Sequence, residues 1–142
     1  LRGFDEEHFA AGRRPRQAEG HAWNERSLLD LALLEERGAE ELLEVNEKYM
    51  VKRLTMLKDH RCSLQYHHHK RETIYVLSGV LRILVGTDPA KLEARLYRAG
   101  DSITLAPGMI HRMEGVEDAT YLEASTPELD DVVRLADDYR RS

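Results

Sequence analysis

Residues 63–80 read SLQYHHHKRETIYVLSGV, and this stretch decides the fold class. It contains two runs of strand-forming residues, Ser63–His69 and Thr73–Leu77, and the second run ends at the turn residues Ser78-Gly79. Similar short runs, separated by turn residues, lie on both sides of it. They are Tyr49–Leu57, Val80–Val85, Leu92–Tyr97, Ser102–Leu105, His111–Glu114 and Thr120–Ser125. Short strands at this spacing, with no helices between them, predict an all-β jelly-roll barrel made of two sheets.

The chain before these strands has a different pattern. After a polar start, a helix is predicted that is capped by Ser27 and ends at Gly38, because an apolar stripe of leucines lies between these two residues. Ala39–Val45 is expected to continue it as a second short helical segment. The predicted organisation is an N-terminal tail and helical segment over 1–48, a barrel over 49–126 and a C-terminal tail packed on the barrel over 127–142.

Composition restricts the class of protein and of ligand. The 142 residues fit one domain, and 42% hydrophobic with 33% charged residues is typical of a globular protein. No apolar run reaches the ~18 residues of a membrane span, and the start does not resemble a signal peptide. The single cysteine, Cys62, fits a reducing cytoplasm. A net charge of -5 argues against nucleic-acid binding, so we expect a small-molecule ligand.

The histidine string carries the first chemical signal. In a strand, alternate residues share a face, so Gln65, His67 and His69 are expected on one side and His68 on the other. Three polar, ligand-capable groups on one face suit a metal ion. A short histidine string is also found in solvated loops, and the string alone does not decide between the two.

The spacing of residues further along resembles the cupin superfamily. Glu72 follows His67 by five residues, six residues then separate it from Gly79, and a later Pro107-Gly108 turn precedes His111. A more specific resemblance is to the type II mannose-6-phosphate isomerase domain of bifunctional GDP-mannose enzymes. It rests on four stretches over roughly residues 49–140, together with the Pro107–Arg112 turn. The stretches are Tyr49–Thr55, Ser63–His69 with the following basic residue and Glu72, Asp130–Leu135, and Asp137–Tyr139.

The resemblance implies a cupin double-stranded β-helix with one bound divalent metal ion. The implied ligands are Gln65, His67, Glu72 and His111, with the glutamine carbonyl oxygen in the place of a more common histidine. Zinc is the default metal, and iron, nickel, manganese or copper are alternatives. His69 could replace Gln65 as a ligand, or it could contact the substrate and carry a proton, a role that suits imidazole.

The same resemblance implies an aldose-ketose isomerase acting on a sugar phosphate. Lys52 alternates with apolar residues and could bind an anionic part of the substrate, or extend to the barrel edge as a solvated lysine. The family's His-Trp after the motif glutamate is Thr73-Ile74 here, which keeps two alternatives open. One is a cupin of specialised metabolism, using the metal as a Lewis acid or to activate dioxygen. The other is a non-catalytic sugar- or metabolite-binding cupin. A homodimer is expected in each case.

Overall fold

The computed structural model describes residues 38–128 and 130–138. These residues form ten strands in two five-stranded sheets, in which every pair of neighbours is antiparallel. The strands are β1 (Gly38–Val45), β2 (Met50–Met56), β3 (Leu64–Tyr66), β4 (Glu72–Ser78), β5 (Val80–Gly86), β6 (Glu93–Arg98), β7 (Ser102–Leu105), β8 (Ile110–Gly115), β9 (Ala119–Ser125) and β10 (Val133–Ala136).

The chain passes back and forth between the two sheets. The first sheet has the order β1-β2-β9-β4-β7 and the second has the order β10-β3-β8-β5-β6. Strands β3 to β10 therefore change sheet at almost every connection, which is the winding of a jelly roll. The two inner faces enclose one interior, and the all-β jelly roll of two sheets predicted from the sequence is confirmed.

One glycine shows why the chain can change sheets so abruptly. Gly79 is the single residue between β4 in the first sheet and β5 in the second, and its φ is 82°. A Cβ atom at this position would lie 2.0 Å from the carbonyl oxygen of Asp118. Only glycine fits this corner, because both the left-handed backbone and the close approach exclude a side chain.

The short helical segment predicted over Ala39–Val45 is wrong. These residues form β1, which pairs with β2 along its whole length. A register shift between Leu42 and Glu44 lets the consecutive residues Leu42 and Leu43 both become buried. That bulge breaks the simple alternation of a strand, and pairing with β2 outweighs the weak helix preference of Ala, Glu and Leu. The helix predicted after Ser27 lies outside the described residues.

The strand predicted over Ser63–His69 is shorter than expected. It ends at Tyr66, so the three histidines lie in the connection that leads to β4. After β9 the chain returns to the second sheet, where β10 pairs with β3. Residues 130–138 therefore lie beside the histidine connection.

The barrel interior has an apolar end and a polar end. The apolar end is a cluster of nine buried residues, which are Met56, Ile74, Val76, Leu81, Ile83, Leu105, Met113, Ala119 and Tyr121. Toward the opposite end, the same inner faces carry histidine, glutamate and lysine. Among the described residues, no helix has the length and apolar character needed to cross a membrane.

Candidate metal centre

Three strands carry apolar side chains at one end of the barrel and polar ones at the other. Each strand has alternate residues pointing inward, so the change can be followed position by position. Going toward the polar end, the inward residues are Val76, Ile74 and Glu72 on β4, Tyr121, Glu123 and Ser125 on β9, and Met113 and His111 on β8. The connection after β3 adds His67 and Lys70, both of which are buried.

His67, Glu72 and His111 bring one ligand atom each to a common point. The Nε2 atoms of His67 and His111 lie 3.0 Å and 3.2 Å from the same Glu72 oxygen, Oε2. All three ligand atoms lie within 4.8 Å of one another, and all three side chains are at most 3% exposed. The three residues that the sequence placed in the metal site by spacing are therefore brought together by the fold.

The hydrogen bonds on the far side of each imidazole fix how the rings face this point. Nδ1 of His67 donates to the backbone carbonyl of Asp131, and Nδ1 of His111 donates to the carbonyl of Met109 at 3.0 Å. A carbonyl can only accept, so the proton of each neutral ring is on Nδ1 and the lone pair of Nε2 faces Glu72. Three acceptors that meet in a buried space require a cation between them, which is either a proton or a metal ion.

The donor set fits a divalent metal ion. Two imidazole nitrogens and one carboxylate are ligands that zinc and the neighbouring transition metals accept. Burial raises the pKa of the Glu72 carboxyl, but hydrogen bonds that it accepts from His111 and His67 when no metal is bound, and the charge of Lys70, outweigh this effect, so the pKa lies below its usual range. The direction of the shift favours the carboxylate form, which is the form that binds a metal ion.

Gln65 lies next to this cluster. It stands directly opposite His111 in the pairing of β3 with β8, which places the two side chains on the same face. Its Oε1 accepts a hydrogen bond from the hydroxyl of Ser63 at 2.5 Å. The register therefore supports the predicted position of Gln65 beside the metal ligands, while its role as a ligand stays a prediction.

His69 is not brought into the cluster. Because β3 ends at Tyr66, the alternation that would have aligned His69 with His67 does not extend that far. Both His68 and His69 are exposed, and their rings lie 6.2 Å apart between centroids. Within the described part of the chain, the group that could hold a metal consists of His67, Glu72 and His111 without His69.

Lys52 lies on the inner face of β2, opposite Glu123 on β9. Its ammonium forms an ion pair with Glu40 at 2.8 Å. Burial lowers the pKa of Lys52, but Glu40 and Glu123 raise it more, so the lysine is held in its charged form. An anionic substrate group would have to compete with Glu40 for this charge.

Sequence reasoning missed two buried charges beside the metal ligands. The Lys70 ammonium lies 3.3 Å from Glu123 Oε2 and 3.9 Å from Glu72 Oε1. Burial and the negative charge of Glu72 raise the pKa of Glu123. The sequence does contain a signal for Glu123, because it is an acid that alternates with Tyr121 and Ser125 in the predicted strand Thr120–Ser125.

Asp131 was also missed as part of the site. It lies in the connection before β10, and its backbone carbonyl accepts the Nδ1 proton of His67. Its carboxylate accepts hydrogen bonds from the backbone N–H groups of His68, His69 and Lys70. Nothing in the local sequence predicts these contacts, since they join residues more than sixty positions apart.

Comparison with known protein families identifies the family of this chain. The family described as "Mannose-6-phosphate isomerase C-terminal" matches residues 32–137. The chain belongs to this family. The three residues that could hold a metal ion all lie within the matched part of the chain.

Parts of longer proteins are similar to this chain in sequence. The mannose-1-phosphate guanylyltransferase ManC of Salmonella typhimurium is 31% identical over 114 residues, which is 73% of this chain and 22% of ManC. The xanthan biosynthesis protein XanB of Xanthomonas campestris is 29% identical over 115 residues, covering 74% of this chain and 22% of XanB. The chain thus spans about a fifth of the length of these curated relatives.

Solved structures share the fold of the isomerase C-terminal domain. KdgF from Halomonas sp. has a TM-score of 0.60 at 14% identity, over 67% of this chain and 83% of KdgF. Oxalate decarboxylase of Bacillus subtilis, a protein with Mn(II) centres, has a TM-score of 0.59 at 22% identity, over 69% of this chain and 28% of its own. An RmlC-like cupin from Shewanella frigidimarina has a TM-score of 0.56 at 19% identity, over 64% of this chain and 77% of its own.

Proposed function

We propose that this domain is a metal-dependent aldose-ketose isomerase acting on a sugar phosphate of the mannose 6-phosphate type. The observation that carries the proposal is the convergence of His67, Glu72 and His111 on one buried point. The family match supplies the substrate class. The guanylyltransferase names of the longer relatives describe proteins of which this chain covers only 22%, so they suggest a related sugar-phosphate substrate and not that activity.

The proposed ligands are His67, Glu72 and His111, with Gln65 completing the set through its amide oxygen. Zinc is the first choice because isomerisation needs no redox change, and iron, nickel, manganese and copper are the alternatives. A divalent ion bound there would supply Lewis acidity that polarises the carbonyl group of the sugar. Gln65→Ala tests the fourth ligand, and we expect its zinc affinity to be about tenfold lower, the low end of the effect of removing a group that supports a metal site.

Isomerisation moves one proton between neighbouring carbons. A base takes the proton from the carbon beside the carbonyl and returns it to the former carbonyl carbon, while a hydroxyl proton moves between the two oxygens. Glu123 is the proposed base, because it is an interior carboxylate next to the ligands and is not one of them. Lys70, 3.3 Å from Glu123, is placed to hold a developing negative charge on the substrate oxygen.

The sequence suggested His69 and Lys52 for catalysis, but neither is the base in this proposal. His69 is exposed in the connection that also carries His67, so it could meet the substrate only at the open, polar end of the barrel. Lys52 is paired with Glu40 and would bind a phosphate only by exchanging that partner. Variants at both positions are expected to change KM more than kcat.

Deuterium exchange tests the proposal directly. The purified protein, loaded with zinc, is incubated with mannose 6-phosphate in D₂O, and NMR follows both deuterium at the exchanging carbon and the formation of the ketose. The control is the same protein treated with a chelator. Exchange that depends on the metal supports the proposal, whereas zinc-loaded, folded protein that exchanges no deuterium with mannose 6-phosphate contradicts it.

Two results would instead support the alternatives predicted from the sequence. Oxygen consumption with iron, nickel or copper would indicate a redox cupin, and tight sugar binding without turnover would indicate a binding module. The expected homodimer is tested in the same preparation by light scattering. The reducing cytoplasm inferred from the single cysteine also stays a prediction.

A further inference from the structure

The connection between the two proposed metal ligands His67 and Glu72 holds a carboxylate from another part of the chain. The backbone N–H of His68 donates to Asp131 Oδ1 at 2.9 Å. The N–H groups of His69 and Lys70 donate to Oδ2 at 2.6 Å and 2.8 Å. Successive N–H groups that point the same way form an anion-binding concavity. Asp131 fills this concavity and fixes the path of the chain from one ligand to the next.

The same residue also sets the orientation of a ligand. The Asp131 carbonyl accepts the Nδ1 proton of His67, which leaves Nε2 free to face Glu72. Partners of this kind on the far nitrogen determine the tautomer and the ring orientation of metal-binding histidines. One residue therefore acts on His67 through its backbone and on the following turn through its side chain.

Asp131 is held in place independently of the metal ligands. β10, which begins two residues after it, pairs with β3, and Arg112 donates to the carbonyl of Ala136 at 3.1 Å. The segment 130–138 is thus attached to the barrel through β10.

We propose that Asp131 is a positioning residue that sets the affinity of the site for its metal ion. The proposal rests on the metal site of the proposed function. Three N–H groups of the turn between the two ligands donate to the Asp131 carboxylate, and the Asp131 carbonyl accepts the Nδ1 proton of His67.

The test compares Asp131→Asn and Asp131→Ala with Asp138→Asn, which removes a carboxylate from the same segment away from the ligands. Zinc affinity is measured by competition with a chromophoric chelator. We expect about 10-fold weaker binding in the Asn variant, about 100-fold in the Ala variant and a change within about twofold in the Asp138→Asn control. Asparagine should retain part of the effect, because its oxygen accepts from one or two of the three N–H groups and its NH₂ group cannot accept.

Two further measurements separate positioning from general destabilisation. The absorption bands of the Co²⁺-loaded protein should shift in the Asp131 variants and not in Asp138→Asn, since the bands report ligand geometry. In the metal-free protein, amide hydrogen exchange of His68, His69 and Lys70 should become at least about tenfold faster when Asp131 is replaced. If the Ala variant does not fold, zinc affinity, cobalt absorption bands and amide hydrogen exchange of the Asn variant test the positioning role.

The outcomes distinguish this proposal from the proposed function. Wild-type protein that binds no zinc contradicts the proposed metal site. Amide hydrogen exchange at residues 68–70 then still shows whether Asp131 orders the turn. Wild-type protein that binds zinc, with Asp131→Asn binding equally tightly and showing unchanged cobalt bands, overturns the positioning role. Zinc binding that is weaker in Asp131→Asn but not in Asp138→Asn supports the positioning role of Asp131. If isomerase activity is absent from wild type as well, the same result contradicts the proposed isomerase function.

Discussion

The apolar and polar ends of the barrel interior are built by the same strands and differ in what their side chains can do. On β4, Ile74 is fully buried among hydrophobic residues, and two positions away Glu72 is buried among two histidines and a lysine. Burying Ile74 stabilises the fold, because apolar surface leaves water. Burying Glu72 does so only if its partners offset the loss of hydration. The apolar end of the interior therefore supplies stability, and the polar end carries the candidate site.

The polar end is arranged so that no described charge in it stands alone. Glu40 is paired with Lys52, and Lys70 lies between Glu123 and Glu72. These buried ion pairs are expected to contribute little net stability. Removing one member of a pair nevertheless destabilises the fold, because it leaves the other charge buried and unpaired. The following changes test whether the two ends carry separate roles, in order of decreasing effect.

His111→Ala should have the largest effect, and that effect should be on metal binding. Removing one of three ligands should lower zinc affinity by more than about 100-fold, and isomerase turnover with it, because even groups that only support a ligand change affinity by up to that factor. Zinc at 100 times the wild-type dissociation constant should stabilise wild type by about 2.7 kcal/mol in thermal unfolding and the variant by less than about 0.4 kcal/mol. His60→Ala is the matched control, since His60 lies outside the cluster. Equal loss in both variants would contradict the assignment.

Glu123→Gln should have the next largest effect, on turnover. A proton-transferring group contributes roughly 10² to 10⁴ in rate, so kcat should fall by that factor while zinc affinity changes by less than about threefold. Steady-state isomerisation and zinc titration measure the two quantities. His69→Ala is the comparison, and we expect its kcat within about threefold of wild type because its ring is exposed outside the cluster. A larger loss in His69→Ala than in Glu123→Gln would move the proton carrier to the mouth of the barrel.

Ile74→Ala tests the apolar end. It removes a fully buried side chain from the core cluster, and the free energy of unfolding should fall by about 2–5 kcal/mol. Urea denaturation of the metal-free protein measures this. Leu77→Ala on the same strand should lose about 0.5 kcal/mol, because Leu77 is 41% exposed. Zinc affinity should be retained in both folded variants, and its loss in Ile74→Ala would show that the two ends are coupled.

Asp138→Asn should have the smallest effect, and it depends on pH. Arg61 lowers the pKa of Asp138 below its ordinary value of 3.8, so the native ion pair contributes stability above that pH and loses it as the pH falls through the native value. Since both side chains are largely exposed, wild type should exceed the variant by at most about 1 kcal/mol at neutral pH. Urea denaturation at about pH 7 and about pH 3 should show this difference shrinking in acid. A difference that grows in acid would contradict the assignment.

The positions of strands β2 to β9 along the chain and the ligand spacing could be predicted from the sequence because both depend on local patterns. Turn residues such as Ser78-Gly79 and Pro107-Gly108 mark the ends of strands, and the distance from His67 to Glu72 is a matter of counting. The first strand was misread as a helix for the same reason: around Leu42 the bulge produces two adjacent buried residues, and the partner strand that makes this possible is not visible locally.

The sequence by itself determined an all-β cupin barrel and three of the residues that converge on the candidate metal centre. Only the tertiary structure decided that His69 stays outside the cluster, that Lys70 and Glu123 stand beside it, and that Asp131 holds the turn between the ligands. The physical reason is that strand alternation and turn chemistry act over a few neighbouring residues. Hydrogen bonds and ion pairs between distant segments exist only once the two sheets have closed around one interior.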